Sequence, residues 1–389
     1  MKNLVVILSL ITAVISFGQD KKVKNVILMI GDGMGLSQMS SIYYFNDGER
    51  PNFSRFKTIG LINTSSAKEK ITDSAAGATA FATGRKSYNG AVSVDTNGRD
   101  LPNFIEVIQK KEISSGLVAT SSITHATPAC FYAHAKSRSQ AEDIALQLPQ
   151  SGVDFFAAGG LKFFNKRSDK INLLRELVKK GYVVDTVALD PKANLQRTKS
   201  YGYLLAQDGM KSKLNGRGDF LTDATELACD YLNKTDKGFF LMVEGSQIDW
   251  EGHSCNGDGI IEEVKDFDKA IGAALDFAKQ DGETLVIVTA DHETGGFALA
   301  PKAKDGQWQY NDIDPTFYKG ADEANMKYAA HTTTLIPVFA YGPKSNYFAG
   351  IYQNNEIYHK IMAATGWNEM VNNRNNTSPA KHNGLYENY

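Results

Sequence analysis

Apolar residues along the chain gather in short unbroken runs. Val26–Ile30, Leu117–Thr120, Phe239–Val243, Leu285–Thr289 and Ile336–Tyr341 are the clearest. Runs of this length read as strands buried on both faces, the pattern of a parallel sheet. Between them the apolar positions fall at three- and four-residue steps. In Gly259–Gln280 they are Ile260, Val264, Phe267, Ile271, Leu275 and Ala278, with Gly282 as a stop; this predicts an amphipathic helix. Asn103–Lys110, Ala141–Leu148, Ile171–Lys180 and Asp223–Leu232 predict shorter helices. Strands alternating with helices imply an α/β sandwich, a large mostly parallel central sheet with helices on both faces.

Two stretches fit the alternation less well. Residues 151–217 carry their own strand and helix patterns and are expected to form a subdomain beside the sheet. Residues 301–328 are polar and irregular and are expected as a surface insertion. Otherwise 19–389 reads as one domain. Residues 1–18 read as an export signal, removed from the mature chain. Lys2 is its positive end, Leu4–Phe17 its apolar core, and Ser16 and Gly18 the small residues before a cut at Gln19. That core is too short to span a bilayer comfortably. No cysteine follows it, so no membrane anchor is expected, and the location is periplasmic or secreted. The tail after Trp367, with clustered asparagines, is expected to be loosely held.

Composition narrows the function less than patterning does. Of 389 residues, 22% are charged, and the formal net charge is −2. Non-specific nucleic-acid binding needs a strong basic footprint, which is missing. The three cysteines, Cys130, Cys229 and Cys255, leave at least one thiol free. Cys255 follows His253 by two residues and reads as a plain small residue rather than a metal ligand.

Ligands of open parallel sheets bind beyond the carboxyl ends of the strands. The residues just past each apolar run are therefore informative. "GDGMG" with Asp32 comes after the first, and "SSITHATPA" with His125 and Thr127 after the second. The third ends in Glu244 and leads to Asp249 and His253; the fourth leads to Asp291 and His292. His331 opens "HTTT", just before the last run. Singly these are ambiguous: "GDGMG" also reads as a structural turn, and Asp249 with His253 as a helical surface pair. Together they bring carboxylates and imidazoles to one edge. Imidazole with carboxylate suits zinc, and oxygen-only ligands suit magnesium. Ser74, in "TDSAAGATAFATG", has no histidine near it in sequence and no Gly-x-Ser-x-Gly elbow. Asp73 or Ser74 also reads as a helix cap, with the small residues packing the helix closely. As a zinc ligand Ser74 would need no histidine base, because zinc lowers the pKa of a bound hydroxyl, to ~7 for water.

"IGDGMG", "TDSAAGATAFATG", "HATPA", "AHAKSR", "FLMVEGSQIDWEGH", "VTADHETGG" and the late histidine resemble the alkaline phosphatase family in type, order and spacing, from about Val26 to about Gly366. The resemblance implies the three-layer fold of that family and hydrolysis of small phosphate monoesters, through a phosphoserine on Ser74. It implies two zinc ions. Asp249, His253 and His331 would hold the first, and Asp32, Asp291, His292 and Ser74 the second. A magnesium site, where zinc is an alternative, would use Asp32, Thr127 and Glu244. Arg138 would grip phosphate oxygens and Asp73 would orient it. Inorganic phosphate would inhibit as product, and a homodimer is compatible with the reading. Some members carry Asp in place of His125, and Lys or His in place of Trp250. His125 is expected beside the third ion rather than bound to it, and Trp250 in the phosphate pocket. Two alternatives are a superfamily hydrolase of phosphodiesters or sulfate esters and a non-enzymatic metal- or phosphate-binding protein. The Cys-x-Pro-x-Arg pattern of sulfatases is absent.

One constraint is geometric. An unbroken helix from Thr127 would carry Arg138 about 16 Å along its axis, too far for both to serve one site. The helix must be short, with the chain turning back near Ala135–Ser137. His134 is expected on a helix face, and His359 and His382 in solvent.

Overall fold

The computed structural model of the protein describes residues 22–318 and 329–367. The expected export signal, the tail, His382 and the end of the 301–328 stretch lie outside the described residues. The strands, in chain order, are β1 (Asn25–Gly31), β2 (Thr58–Asn63), β3 (Ser114–Ser122), β4 (Phe155–Gly159), β5 (Tyr182–Asp185), β6 (Ser200–Leu204) and β7 (Phe239–Gly245). They continue as β8 (Thr284–Thr289), β9 (Glu293–Thr294), β10 (Ala298–Lys304), β11 (Gln307–Thr316), β12 (His331–Thr332), β13 (Ile336–Tyr341) and β14 (Gly350–Gln353).

Ten of them form one sheet in the order β14-β2-β13-β8-β1-β7-β3-β4-β6-β5. β1, β3, β7 and β8 are buried along their whole length. Both faces of these strands are covered, so their sequences run apolar without alternation. The long helix Gly257–Asp281 starts where the Asn256 side chain accepts from the Gly259 N–H and ends at Gly282, whose φ is +74°. Its apolar positions, Ile260 through Ala278, are buried. The expected helices around 103–110, 141–148, 171–180 and 223–232 are all present, with ends shifted by a few residues.

β13 differs from expectation. It is the one strand of the sheet that runs antiparallel to its neighbours, β8 and β2. Only a few residues separate His331 from Ile336, whereas a parallel connection needs a dozen or more. The chain enters β13 directly from the edge where the parallel strands end, so it must run away from that edge.

Residues 151–217 contribute β4, β6 and β5 to one end of the sheet. The short strands β2, β5 and β14 mix buried and exposed positions, which made them less visible than the apolar runs. Residues 301–318 are more regular than expected of this stretch. β10 and β11 form an antiparallel hairpin whose register shifts between Pro301 and Lys302. It is mostly solvent-exposed, so ladder hydrogen bonds rather than burial give it its order.

Candidate metal and phosphate site

Ser74 is the first residue of the helix Ser74–Thr83, and Asp73 is its cap: Asp73 Oδ1 accepts from the Ala76 N–H at 2.9 Å. Capping and chemistry thus coexist here, since the cap fixes the backbone that carries the serine. Ser74 Oγ lies 3.2 Å from His292 Nε2 and 3.5 Å from Asp32 Oδ1. The small residues after Ser74 are all buried. A Cβ on Gly77 would stand 3.0 Å from Asp291 Cβ, so the helix rests directly on the loop after β8.

Among the described residues three clusters lie at this edge, within each of which the potential ligand atoms are within 4.8 Å of one another: Asp249, His253 and His331; Asp32, Asp291 and His292; Asp32, His125 and Glu244. Asp32 and Glu244 stand at the ends of β1 and β7, which pair in parallel register. Asp249 and His253 lie one turn apart on the helix Gln247–His253. Asp291 and His292 follow β8, and His331 begins β12. Gly33, in "GDGMG", has a φ of +70°, and a Cβ there would lie 2.8 Å from Asp249 Cα and from Thr294 Oγ1. Its N–H donates to Asp291 Oδ1 at 3.2 Å. This loop therefore packs the clusters together.

The donor atoms fit divalent cations. His253 Nδ1 faces the Ala329 carbonyl at 2.6 Å and His331 Nδ1 the Thr72 carbonyl at 2.9 Å. Carbonyls only accept, so each Nδ1 carries a proton, which in a neutral ring leaves Nε2 as the lone-pair nitrogen. Those two Nε2 atoms are 3.1 Å apart, an unfavourable approach of two acceptors unless a cation lies between them. Asp32 Oδ2, Asp291 Oδ2, Glu244 Oε1, Thr127 Oγ1 and His125 Nδ1 are buried without a hydrogen-bond partner. Burial pushes the Asp32 carboxyl well above the usual range, and the charges of Asp291, Asp249 and Glu244 push it further. Burial likewise raises Asp291, and it raises Glu244 to about 7. Buried carboxylates that outnumber the cations facing them are costly, and a bound ion offsets that cost.

Arg138 reaches the same place by the expected route. The helix Ala126–Cys130 is short, Ala135 bridges to Val92, and the Arg138 N–H donates to the Gly90 carbonyl at 2.8 Å. Arg138 Nη1 donates to Asp73 Oδ2 at 3.1 Å and Nη2 faces His125 Nε2 at 3.1 Å. Burial, then the Arg138 charge, hold the His125 imidazole neutral, with its pKa lowered to about 3. His125 thus stands between Arg138 and the Asp32–Glu244 pair, nearer to the third cluster than expected. The Trp250 ring lies edge-on to it, with centroids 5.9 Å apart.

His134 is not on a helix face. It sits in the turn before Ala135, Nδ1 at 2.9 Å from the Ser93 carbonyl and Nε2 at 3.1 Å from Glu106. The short helix that brings Arg138 back leaves no helix for it. His359 is exposed, with Nε2 at 3.0 Å from the Gly84 carbonyl. Cys255 stands outside all three clusters. Two hydroxyls were missed in the sequence. Thr294 Oγ1 donates to Asp249 Oδ1 at 2.5 Å and lies 3.2 Å from His292 Nδ1, linking two clusters. Ser121 Oγ donates to Glu244 Oε2 at 3.1 Å. Their positions at strand ends were the available signal.

A mostly parallel sheet that gathers carboxylates, imidazoles, a helix-start serine and an arginine at its carboxyl edge has the equipment of a metal-dependent hydrolase. The chain belongs to the alkaline phosphatase family. The family model described as "Alkaline phosphatase" matches residues 23–316. "Alkaline phosphatase 4" of Bacillus subtilis is 36% identical, over 88% of this chain and 90% of that one. The alkaline phosphatase of Escherichia coli is 32% identical, over 89% and 87%. Among solved structures, the alkaline phosphatase from the Antarctic bacterium TAB5 superposes with a TM-score of 0.85 at 50% identity, covering 90% of this chain and 99% of that one. A histidine-to-aspartate mutant of the TAB5 enzyme is described with magnesium bound in its M3 site.

Proposed function

We propose that this protein hydrolyses phosphate monoesters to alcohol and inorganic phosphate, through a covalent phosphoserine on Ser74. One observation carries the reading: Ser74 Oγ, 3.2 Å from His292 Nε2, stands at a helix start whose cap, Asp73, also holds Arg138. Family membership supports the monoester chemistry.

Asp249, His253 and His331 would hold one zinc. Asp32, Asp291 and His292, with Ser74, would hold the second. Asp32, Thr127 and Glu244 would hold a magnesium, with His125 at its side. When bound, divalent ions in such positions lower the pKa of a hydroxyl or water and offset charge on the leaving oxygen. Ser74 Oγ attacks phosphorus in line, forming the Oγ–P bond as the bond to the leaving alcohol breaks. Water then cleaves Oγ–P and releases phosphate. Arg138 presents its planar fork to two phosphate oxygens, a task a lysine performs poorly. Asp73 keeps that fork aimed, and Trp250 bounds the pocket. These contacts grip phosphate alone, so broad specificity is expected, with phosphate as a product inhibitor. An export signal in 1–18 would place the enzyme in the periplasm or outside the cell.

The test is to quench the protein with inorganic phosphate at low pH and map the phosphorylated residue, beside assays with a monoester and a diester. Phosphate on Ser74 with preference for the monoester is expected. Phosphate elsewhere, or preference for the diester, would overturn the reading.

A further inference from the structure

The three residues before Ser74 form the segment that leads into the helix, with Ile71 at a bend and Asp73 extended. The carbonyl of Ile71 and the N–H of Asp73 point to one side of it, and the Thr72 carbonyl points to the other. His331 Nδ1 meets the Thr72 carbonyl at 2.9 Å. On the opposite side a single side chain meets both remaining groups. The Asp73 N–H donates to Asn89 Oδ1 at 3.1 Å, and Asn89 Nδ2 donates to the Ile71 carbonyl at 3.0 Å. An amide offers an acceptor and a donor side by side, so Asn89 pairs with this segment as a neighbouring strand would. Its own N–H is anchored on Glu69 Oε2 at 3.3 Å.

Gly90 continues the link. Its N–H donates to Asp73 Oδ2 at 3.0 Å, the same oxygen that accepts from Arg138 Nη1. Its carbonyl accepts from the Arg138 N–H at 2.8 Å. We propose that Asn89, with Gly90, is a positioning residue that fixes the nucleophile segment and the phosphate-gripping arginine relative to each other. Asn89 sets the backbone that leads into Ser74. Gly90 ties that backbone to Arg138 through Asp73. Neither touches the reacting atoms. The inference rests on the roles proposed for Ser74 and Arg138.

Asn89→Ala removes both amide hydrogen bonds and leaves every metal-ligand candidate in place. Small misplacements of reacting groups are costly, so kcat should fall on the order of 10-fold or more. Inhibition by inorganic phosphate should weaken together with it, while metal content and melting temperature stay near the parent's. In an Arg138→Ala background the effect of Asn89→Ala on phosphate inhibition should nearly vanish, since the arm it positions is gone. Gly90→Ala tests the same link independently of the side chain. Gly90 has a φ of +90° and nothing within 4 Å of a Cβ, so alanine there strains only this backbone. It should reproduce the paired loss in kcat and phosphate inhibition, and it carries the test should Asn89→Ala not fold. Parent-like kcat and phosphate inhibition in the folded variants would overturn the inference, as would losses explained by missing metal or a loss of phosphate inhibition unchanged by Arg138→Ala. Such a result with phosphate still trapped on Ser74 would leave the proposed function standing. Absence of trapping in the parent would remove that function first.

Discussion

Arg217 and the sheet-edge carboxylates are both buried charges, but they are satisfied in different ways. Arg217 bonds Glu263 through both terminal nitrogens and Asp266 Oδ2 at 2.8 Å, and Lys213 Nζ meets Asp266 Oδ1 at 2.8 Å. Lys213 Nζ also meets Asp219 Oδ1 at 3.2 Å, so each cation faces two anions, and among the guanidinium nitrogens only Nε lacks a partner. At the sheet edge Asp32, Glu244, Asp249 and Asp291 converge with imidazoles, and buried oxygens of Asp32, Glu244 and Asp291 have no hydrogen-bond partner. Arg138, the nearby cation, is engaged by Asp73. A charge cluster complete in itself reads as structural. One that is incomplete reads as a site for something the chain does not supply.

Metal removal should separate the two most widely. Chelation should abolish activity and zinc should restore it, with the melting temperature falling in between, because ions tie distant segments together. An apo-protein with full activity would contradict the comparison. The pH dependence has a defined sign. Without metal, Glu244 keeps its proton up to about pH 7, whereas a carboxyl at the ordinary 4.5 has already lost it. The folded state then binds more protons in that window, so metal-free stability should fall as pH rises from about 4.5 to 7. Metal-loaded protein should not show this fall, which denaturant titrations at several pH values would check.

Ser74→Ala should lower kcat by about 10⁴ or more, the scale of losing a nucleophile, and abolish phosphate trapping while metal analysis stays unchanged. Undiminished turnover would remove Ser74 from the chemistry. Arg217→Ala should do the reverse. Breaking a buried pair costs about 3–5 kcal/mol, measurable by urea unfolding, yet kcat of the folded fraction should hold. If it changed metal content instead, the two clusters would not be separate.

Arg138→Ala should weaken phosphate inhibition roughly 10- to 100-fold, the worth of charge-assisted hydrogen bonds, and spare more of kcat than Ser74→Ala does. Phosphate binding as tight as the parent's would point Arg138 elsewhere. The smallest effect is expected of His125→Asp. Exchanging imidazole for carboxylate beside Asp32 and Glu244 favours magnesium, so a titration should show activation at lower magnesium concentration. Equal dependence in parent and variant would take His125 out of that site.

Much of the site was legible because its chemistry is local. Asp32, Glu244 and the Asp291–His292 pair stand at the ends of apolar runs, and residue type pointed to divalent cations before any contact was known. The short helix before Arg138 was legible from helix rise once the resemblance placed Thr127 and Arg138 at one site. Less legible were His125, the direction of β13, Thr294 and Asn89. His125 meets Arg138 only because the chain folds back at Ala135, and an amide in a loop carries no periodic signal.

The sequence by itself determined the element types, the buried strands and the kinds of donor atoms, because burial periodicity and ligand chemistry belong to single residues and their near neighbours. Only the tertiary structure decided which donors share a cluster. His331 meets the Thr72 carbonyl across a separation of 259 residues, and Thr294 meets Asp249 across 45. Such pairings depend on strand order and connection direction, which a one-dimensional pattern of apolar and polar positions leaves open.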